Sequence, residues 1–179
     1  MTTVPRRQRK NSDGRDQRGQ HAWGALLHVH ADLVPLLDRR LQATAGLPLP
    51  WYDVLLELNA APERRLRMGE LGERVVLSRT RVSRLIDELE RAGLVGRQAN
   101  PADKRSAYAV LTDLGRARLR SAAPAYLTGI TEHFTRHLTD EEIDVLARAL
   151  WRVHAARVPP TAPAQAATAT GGILPTPPS

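Results

Sequence analysis

Residues 77–93, LSRTRVSRLIDELERAG, form the most strongly patterned stretch of this chain. Their apolar side chains recur at i, i+3, i+4 and i+7, which predicts a helix with one buried stripe composed of Val82, Leu85, Ile86 and Leu89. Ser78 stands at the N-cap position, and Gly93 supplies a C-terminal stop. The stretch therefore predicts an amphipathic helix whose two ends are both defined by the sequence.

The charged residues of this helix are sorted along its length. The first half carries Arg79, Arg81 and Arg84, and the second half carries Asp87, Glu88 and Glu90, with Arg91 as the exception. That order opposes the helix macrodipole, which favours acids at the start and bases at the end by roughly 0.3–1 kcal/mol each. A polyanion lying against the first turns explains the order, because a recognition helix presents its first turns to base edges and phosphates. The alternative is a solvated surface helix whose charges are sorted by chance.

Composition limits the class of protein. The 179 residues carry 26 basic and 19 acidic side chains, a net charge of +7, and are 42% hydrophobic, which suits one core or one small domain with an oligomer interface. A polyanionic partner fits the charge. The absence of cysteine excludes disulfides, thiolate metal sites and a cysteine redox switch. No apolar run approaches the roughly 18 residues of a membrane span, and no signal-peptide core is present, so we expect a cytoplasmic protein.

Both ends of the chain have the composition of disordered segments. Residues 1–20 carry six basic and two acidic side chains with almost nothing apolar, which predicts a disordered basic arm that either follows DNA phosphates or remains free of contacts. Residues 159–179 contain six prolines and no charges, which predicts a disordered tail.

Helical periodicity continues before the central helix. Residues 21–41 keep helical spacing, and Pro35 inside them predicts a kink or a break. Pro50 suits the first turn of a second helix whose buried face would carry Trp51, Tyr52, Leu55 and Leu58. Residues 61–67 are expected to be a connection. A short helix over residues 68–76, a turn and the central helix then make a helix-turn-helix.

The elements that follow strengthen this interpretation. Residues 94–98 and 107–111 have the pattern of short strands joined by a polar loop, and a hairpin after a recognition helix is a wing. Thr112 is placed to cap a helix that runs to about residue 138 with a bend at Pro124. Thr139 and Glu142 form a capping box for a last helix, which carries a stripe of Ile143, Leu146, Leu150 and Val153.

The order of these elements resembles the MarR (multiple antibiotic resistance regulator) family of bacterial transcription factors. The resemblance is carried by MGELGERVVLSRTRVSRLIDELERAGLV, NPADKRSAYAVLTDLGRARL and the helix after LTDEE, and it spans roughly residues 22–158. It implies a mainly α domain over residues 21–158 with a small β-hairpin wing. In this winged helix-turn-helix, a DNA-binding lobe over residues 50–111 would be joined to dimerisation helices over 21–42 and 112–158. The resemblance further implies an intertwined helical dimer that holds two reading heads about one DNA turn, roughly 34 Å, apart.

The resemblance also implies DNA-binding residues. The groove-facing surface of the central helix would present Ser78, Arg79, Thr80, Arg81, Ser83 and Arg84. Asp103, Lys104 and Arg105 form the wing tip, where the acid of an Asp-x-Arg motif orients an arginine that enters the minor groove. Arg81 departs from the family, in which a small or hydroxylated residue is usual at that position, and this departure affects the expected base preference.

In this family, inducers bind between the helical dimer region and the reading head. The resemblance therefore points to an effector site containing Trp23, Tyr52, Asp53 and Arg84, suited to a small aromatic or anionic molecule. Core packing explains Trp23 and Tyr52 equally well, and Asp53 could simply pair with an arginine.

Other chemistry finds little support in the sequence. His133 and His137 have ligand spacing, but no third ligand stands at a matching distance, so we expect no metal and no cofactor. The sequence contains no Gly-rich phosphate loop, no nucleophile with a paired base and no carboxylate pair whose spacing would place the two groups together for catalysis, so we expect no enzyme.

The sequence thus predicts a homodimeric, sequence-specific regulator of transcription. It would be a repressor that an effector releases from a pseudo-palindromic operator in double-stranded DNA. The alternative is an architectural protein that coats DNA without sequence preference. For a sequence-specific regulator, the affinity for the operator should exceed the affinity for random DNA about 10³-fold or more. For a coating protein, the ratio of the two affinities should be near one.

Overall fold

The computed structural model describes residues 6–75, 79–101, 103 and 106–156, with the backbone alone for 6–13 and 79. Several predictions concern residues outside this part of the chain: the N-cap at Ser78, the wing residues Lys104 and Arg105, and the tail over residues 159–179. Within the described residues, no helix combines the length and the apolar composition that a membrane span requires.

The first helix is much longer than the sequence pattern predicts. Helix α1 spans Arg6–Ala45, so the prediction of a disordered arm over residues 1–20 is wrong from Arg6 onward. Arginine and glutamine are good helix formers, and no proline interrupts residues 6–34, so the helix propagates through this polar segment. The helix also continues through Pro35 without the predicted break. Packing of the following turn, where Leu37 and Leu41 are buried, offsets the hydrogen bond that proline removes.

Helix α2, Leu49–Ala60, begins as predicted, with Pro48 before it and Pro50 in its first turn. Tyr52, Leu55 and Leu58 are fully buried, which confirms three of the four core positions expected there. The expected connection after α2 is more ordered than predicted. It contains a 3-10 turn, Pro62–Arg64, and a short strand β1, Arg65–Arg67.

Helices α3, Met68–Arg74, and α4, Arg79–Arg91, are the two helices of the predicted helix-turn-helix. The apolar stripe of α4 is buried in full, as predicted. Gly93 adopts a φ of 71° and ends α4, as the N–H of Leu94 donates to the carbonyl of Leu89 and the N–H of Gly93 to that of Glu90. This pair of bonds is the Schellman motif, which satisfies carbonyls at the end of the helix.

The wing is a hairpin extended by a third strand. Strands β2, Val95–Ala99, and β3, Ala107–Leu111, pair antiparallel as expected. Strand β1 pairs with the other edge of β3, with Arg65 opposite Val110 and Arg67 opposite Tyr108, so the sheet order is β1-β3-β2. The two-stranded wing of the prediction therefore becomes a three-stranded sheet anchored to the loop before α3.

Two more helices complete the described chain. Helix α5, Asp113–His133, starts at Thr112, whose hydroxyl accepts the N–H of Gly115 at 3.0 Å and donates to the carbonyl of Gly93 at 2.8 Å. It ends before the predicted residue 138, and a 3-10 turn, Thr135–His137, follows. Helix α6, Asp140–Ala155, starts with the predicted capping box of Thr139 and Glu142.

One core joins the reading head to the second half of α1 and to α5. Helix α1 crosses α5 closely at Gly129, where a Cβ atom would lie 2.7 Å from Cδ2 of Leu37. Helix α6, in contrast, has no buried residue in the single chain. The most exposed apolar side chains of the terminal helices include Trp23 on α1, with 60% of its surface exposed, and Val153 on α6, with 63%.

Candidate nucleic-acid interface

The first candidate element is the face of α4 that points away from the core. Thr80, Arg81, Ser83 and Arg84 are all exposed there, opposite the buried stripe, as the sequence predicts. Arg84 forms no ion pair with another described residue, so its charge is available to a ligand. Ser78 lies outside the described residues, and Arg79 is described by its backbone alone.

The acidic second half of α4 is held by an arginine of the wing. Arg97 on β2 forms an ion pair with Asp87 and a second one, at 3.1 Å, with Glu90. Glu88 accepts a long hydrogen bond of 3.4 Å from the indole of Trp51. The charge order along α4 therefore has two explanations, because the acids have structural partners while Arg81 and Arg84 are exposed. Sequence reasoning missed Arg97, whose partners on α4 lie seven and ten residues earlier in the chain.

The wing loop is braced from inside by Asn100, which is 2% exposed. Its side-chain amide donates to the hydroxyl of Ser106 at 2.8 Å, and its backbone N–H donates to the Ser106 carbonyl at 3.3 Å. The carbonyl of Asp103 accepts the N–H of Ser106 at 3.0 Å. The Asp103 side chain is exposed, in line with the prediction, whereas its predicted partner Arg105 and the neighbouring Lys104 lie outside the described residues.

Further basic side chains line the same side of the head. A groove of about 760 Å³ lies between α3, α4 and the wing, and its wall includes Arg67, Ser83, Arg97 and Asp103. A hydrogen bond to Tyr108 raises the pKa of Arg67 above its usual value. The guanidinium of Arg65 lies 4.9 Å from the centroid of the Tyr108 ring. The sequence shows these arginines as a basic run within residues 64–67, but that run was interpreted only as part of a connection.

The four residues expected to form an effector site are not brought together in the single chain. Trp23 is exposed on α1, and Arg84 lies on the outer face of α4. Tyr52 is fully buried, with its ring centroid 4.6 Å from that of Tyr126, and its hydroxyl has no hydrogen-bond partner among the described residues. Burial raises the pKa of Tyr52 far above its usual value, with smaller contributions from Tyr126 and Asp53. Tyr52 is therefore a core residue in the single chain, the alternative that the sequence left open.

Asp53 alone of these four borders a cavity. The cavity measures about 340 Å³ and lies between α1 and α2 at the end of α3, with a lining of Val34, Pro35, Asp38, Leu49, Pro50, Asp53 and Val75. The Asp38 carboxylate accepts the N–H of Leu49 and the side-chain amide of Gln42, both at 2.7 Å. The Asp53 carboxylate has no such bond with a described residue, and burial, followed by repulsion from Glu57, raises its pKa to about 6.

The histidines do not assemble a metal site in the part of the chain that the structure describes. No group of three or more potential ligands occurs there. His133 lies 3.8 Å from a carboxylate oxygen of Glu132, and Arg40 forms an ion pair with the same carboxylate.

Comparisons with known proteins give one consistent result. A family model described as MarR family matches residues 45–106. The repressor YetL of Bacillus subtilis is 32% identical over 108 residues, which cover 60% of this chain and 64% of YetL. Among curated relatives the match spans about half to two thirds of their length.

Solved structures extend the similarity over nearly a whole related chain. Sco3205, a MarR family regulator of Streptomyces coelicolor solved in complex with DNA, is 35% identical with a TM-score of 0.72. The alignment covers 78% of this chain and 91% of Sco3205. A mutant of MarR from Escherichia coli solved with operator DNA is 26% identical with a TM-score of 0.64, over 73% of this chain and 91% of that protein.

Proposed function

The chain belongs to the MarR family of transcriptional regulators, and on that premise we propose that it is a ligand-responsive repressor that binds a pseudo-palindromic operator as a homodimer. The family assignment confirms the predicted winged helix-turn-helix fold and the prediction of a DNA-binding regulator rather than an enzyme. The observation that carries the proposal is the outer face of α4, which lies opposite the buried apolar stripe. On this face Arg84 is exposed and has no ion pair with another described residue.

On DNA, α4 would enter the major groove with its first half foremost. An arginine such as Arg84 can donate two hydrogen bonds to O6 and N7 of guanine, while the hydroxyls of Thr80 and Ser83 can bond to either bases or phosphates. The wing residues Asp103, Lys104 and Arg105 would contact the flanking minor groove or its phosphates. Arg97 supports this arrangement indirectly, because its ion pairs with Asp87 and Glu90 join the wing to α4.

The homodimer is supported by the apolar surface of the terminal helices. Leu26, Leu27, Leu150 and Trp151 are each between 37% and 49% exposed in the single chain. A surface of this kind on two helices of one protein is typical of an obligate interface. The dimer would bury these side chains and hold the two heads on successive turns of DNA.

The effector would act through the cavity beside Asp53. Its walls come from α1, which belongs to the proposed dimer region, and from α2 and Val75, which belong to the head. A molecule bound there would favour one angle between the dimer region and the head. If that angle does not fit the operator, the molecule lowers operator affinity by the factor by which it prefers this arrangement to the one that binds DNA. Regulation of this kind requires no new contact with DNA.

One experiment separates this proposal from the architectural alternative. Binding of the purified full chain to the DNA flanking its own gene is measured by footprinting and fluorescence anisotropy, with random DNA of equal length as the competitor. A protected pseudo-palindrome bound about 10³-fold or more tightly than random DNA supports the proposal. A ratio near one at every salt concentration would establish a coating protein instead.

A further inference from the structure

The cavity beside Asp53 has a chemical character that limits its ligand. Most of its wall is apolar, from Val34, Pro35, Leu49, Pro50 and Val75, and its polar groups are the carboxylates of Asp38 and Asp53. No arginine, lysine or histidine occurs among the described residues of the wall. An anionic molecule placed here would meet two carboxylates and no compensating cation among the described residues of the wall.

The two carboxylates are not equivalent. Asp38 is engaged in the fold, because it accepts the N–H of Leu49 in the first turn of α2 and the amide of Gln42. Asp53 makes no hydrogen bond or ion pair with any other described residue, although it is only partly exposed. Two other partly exposed acids do have partners, since Glu57 pairs with Arg74 at 3.5 Å and Glu132 pairs with Arg40. A carboxylate that is withdrawn from water costs stability unless a cation or a donor pairs with it.

We infer that the effector of this protein is a small, mainly apolar organic amine, whose ammonium group donates to the Asp53 carboxylate while its hydrocarbon part contacts Val34, Leu49 and Val75. This inference rests on the proposed function, because it names the chemical class of ligand for the proposed effector site. Of the small aromatic or anionic molecule expected from the sequence, it replaces the anionic alternative, since that alternative depended on Arg84, which lies on the outer face of α4 and does not line this cavity. A cavity of about 340 Å³ suits a molecule with one or two rings or a short alkyl chain.

Three probes of equal shape test the charge preference. Binding of 4-phenylbutylamine, 4-phenylbutan-1-ol and 4-phenylbutanoate to the full-length protein is measured by isothermal titration calorimetry at pH 7.5. We expect the amine to bind about ten-fold or more tightly than the alcohol, and the carboxylate to bind most weakly, because a charge-assisted hydrogen bond in a partly buried site is stronger than a neutral one. Equal binding of all three, or tightest binding of the carboxylate, would overturn the inference.

Two variants locate the preference. Asp53→Asn keeps the shape of the side chain and removes its charge, so the amine should lose its advantage and bind within about two-fold of the alcohol. Asp32→Asn removes a carboxylate from an exposed position on α1 outside the cavity and should leave the advantage unchanged. Circular dichroism is used to check that both variants fold. An amine preference that survives in Asp53→Asn would place the cation elsewhere and refute the assignment.

The pH dependence provides a second measurement on the unaltered protein. Protonation of Asp53 removes the acceptor charge, so the advantage of the amine over the alcohol should fall as the pH is lowered from 7.5 to 5. Competition with operator DNA then separates this inference from the proposed function. If the amine binds with the expected preference but does not release the operator, the cation site stands and the ligand-responsive part of the proposed function fails. If the operator is bound specifically but no amine preference exists, the inference alone fails.

Discussion

Replacing Asp53 by asparagine should stabilise the protein at neutral pH and lose that effect in acid. The pKa of the Asp53 carboxyl rises from 3.8 to about 6 on folding, because burial and the nearby Glu57 disfavour its charged form. Below pH 3.8 the group is protonated in both states, so the folded state is not penalised. As the pH rises from 3.8 to about 6, the carboxyl of the unfolded state ionises while that of the folded state keeps its proton, so the wild type loses stability relative to the variant, and the loss is complete above about pH 6.

The size of the effect follows from the pKa shift. About two pKa units at 1.36 kcal/mol each give roughly 3 kcal/mol as an upper limit. Because Asp53 is partly exposed, water in the cavity reduces this amount, and we expect about 1–3 kcal/mol. This amount is the expected change, between pH 4 and pH 8, in the difference between the unfolding free energies of the variant and the wild type. Taking that difference cancels the contribution of all other titrating groups.

The assay is urea unfolding followed by circular dichroism at a fixed protomer concentration, since the stability of a dimer depends on concentration. Asp32→Asn is the matched control for the loss of one carboxylate on an exposed surface. A difference between Asp53→Asn and wild type that is the same at pH 4, 6 and 8 would refute the reasoning. It would mean that Asp53 is either fully solvated or paired in solution.

The other predictions concern DNA and assembly. Arg84→Ala should cost about 1–3 kcal/mol on the operator and relax the preference at one base pair in each half-site, as measured by anisotropy on a set of single-base variants. Arg105→Ala should reduce the slope of log K against log salt concentration by about one per wing if this residue neutralises a phosphate; an unchanged slope would exclude that contact. Truncation after residue 138 removes α6 and should give aggregation or unfolding, so a soluble, folded monomer in ultracentrifugation would contradict the proposed dimer. A bound effector should weaken binding to the complete palindrome but not to an isolated half-site, and equal weakening of both in a titration would contradict the proposed coupling.

Periodic apolar patterns predicted the helices well because the signal is local. The stripe of α4 and the caps at Gly93, Thr112 and Thr139 lie where the sequence placed them, since each depends on residues within one or two turns. Strand β1 was missed because three residues are too few to show alternation, and because its partner β3 lies far away in sequence. The start of α1 was missed because a polar, basic composition resembles that of a disordered segment.

The candidate effector site was only partly predictable for a related reason. An aromatic residue on a helix can face either a core or a cavity, and the sequence of that helix alone does not distinguish the two. For Tyr52 the outcome depends on Tyr126, which α5 brings to 4.6 Å between ring centroids. Asp53, the next residue, faces the cavity, because consecutive helical side chains are separated by about 100° around the axis. Whether each of these side chains faces the core or the cavity therefore depends on packing between distant parts of the chain, which local sequence patterns do not reveal.

The internal contacts of the head indicate where an effector would act. Arg97 joins the wing to α4 through Asp87 and Glu90, and the apolar stripe of α4 packs in the common core, so the elements proposed to contact DNA are bound to one another. The cavity lies at the edge of that core, where α1 meets the start of α2 and the end of α3 at Val75. A molecule bound in the cavity would therefore have little effect on the contacts within one head. It would instead change the angle between the head and α1. In a dimer that angle sets the distance between two recognition helices, and a shift of a few ångströms over the roughly 34 Å between half-sites is enough to misplace one of them. For this reason we expect the effector to act on the palindrome as a whole.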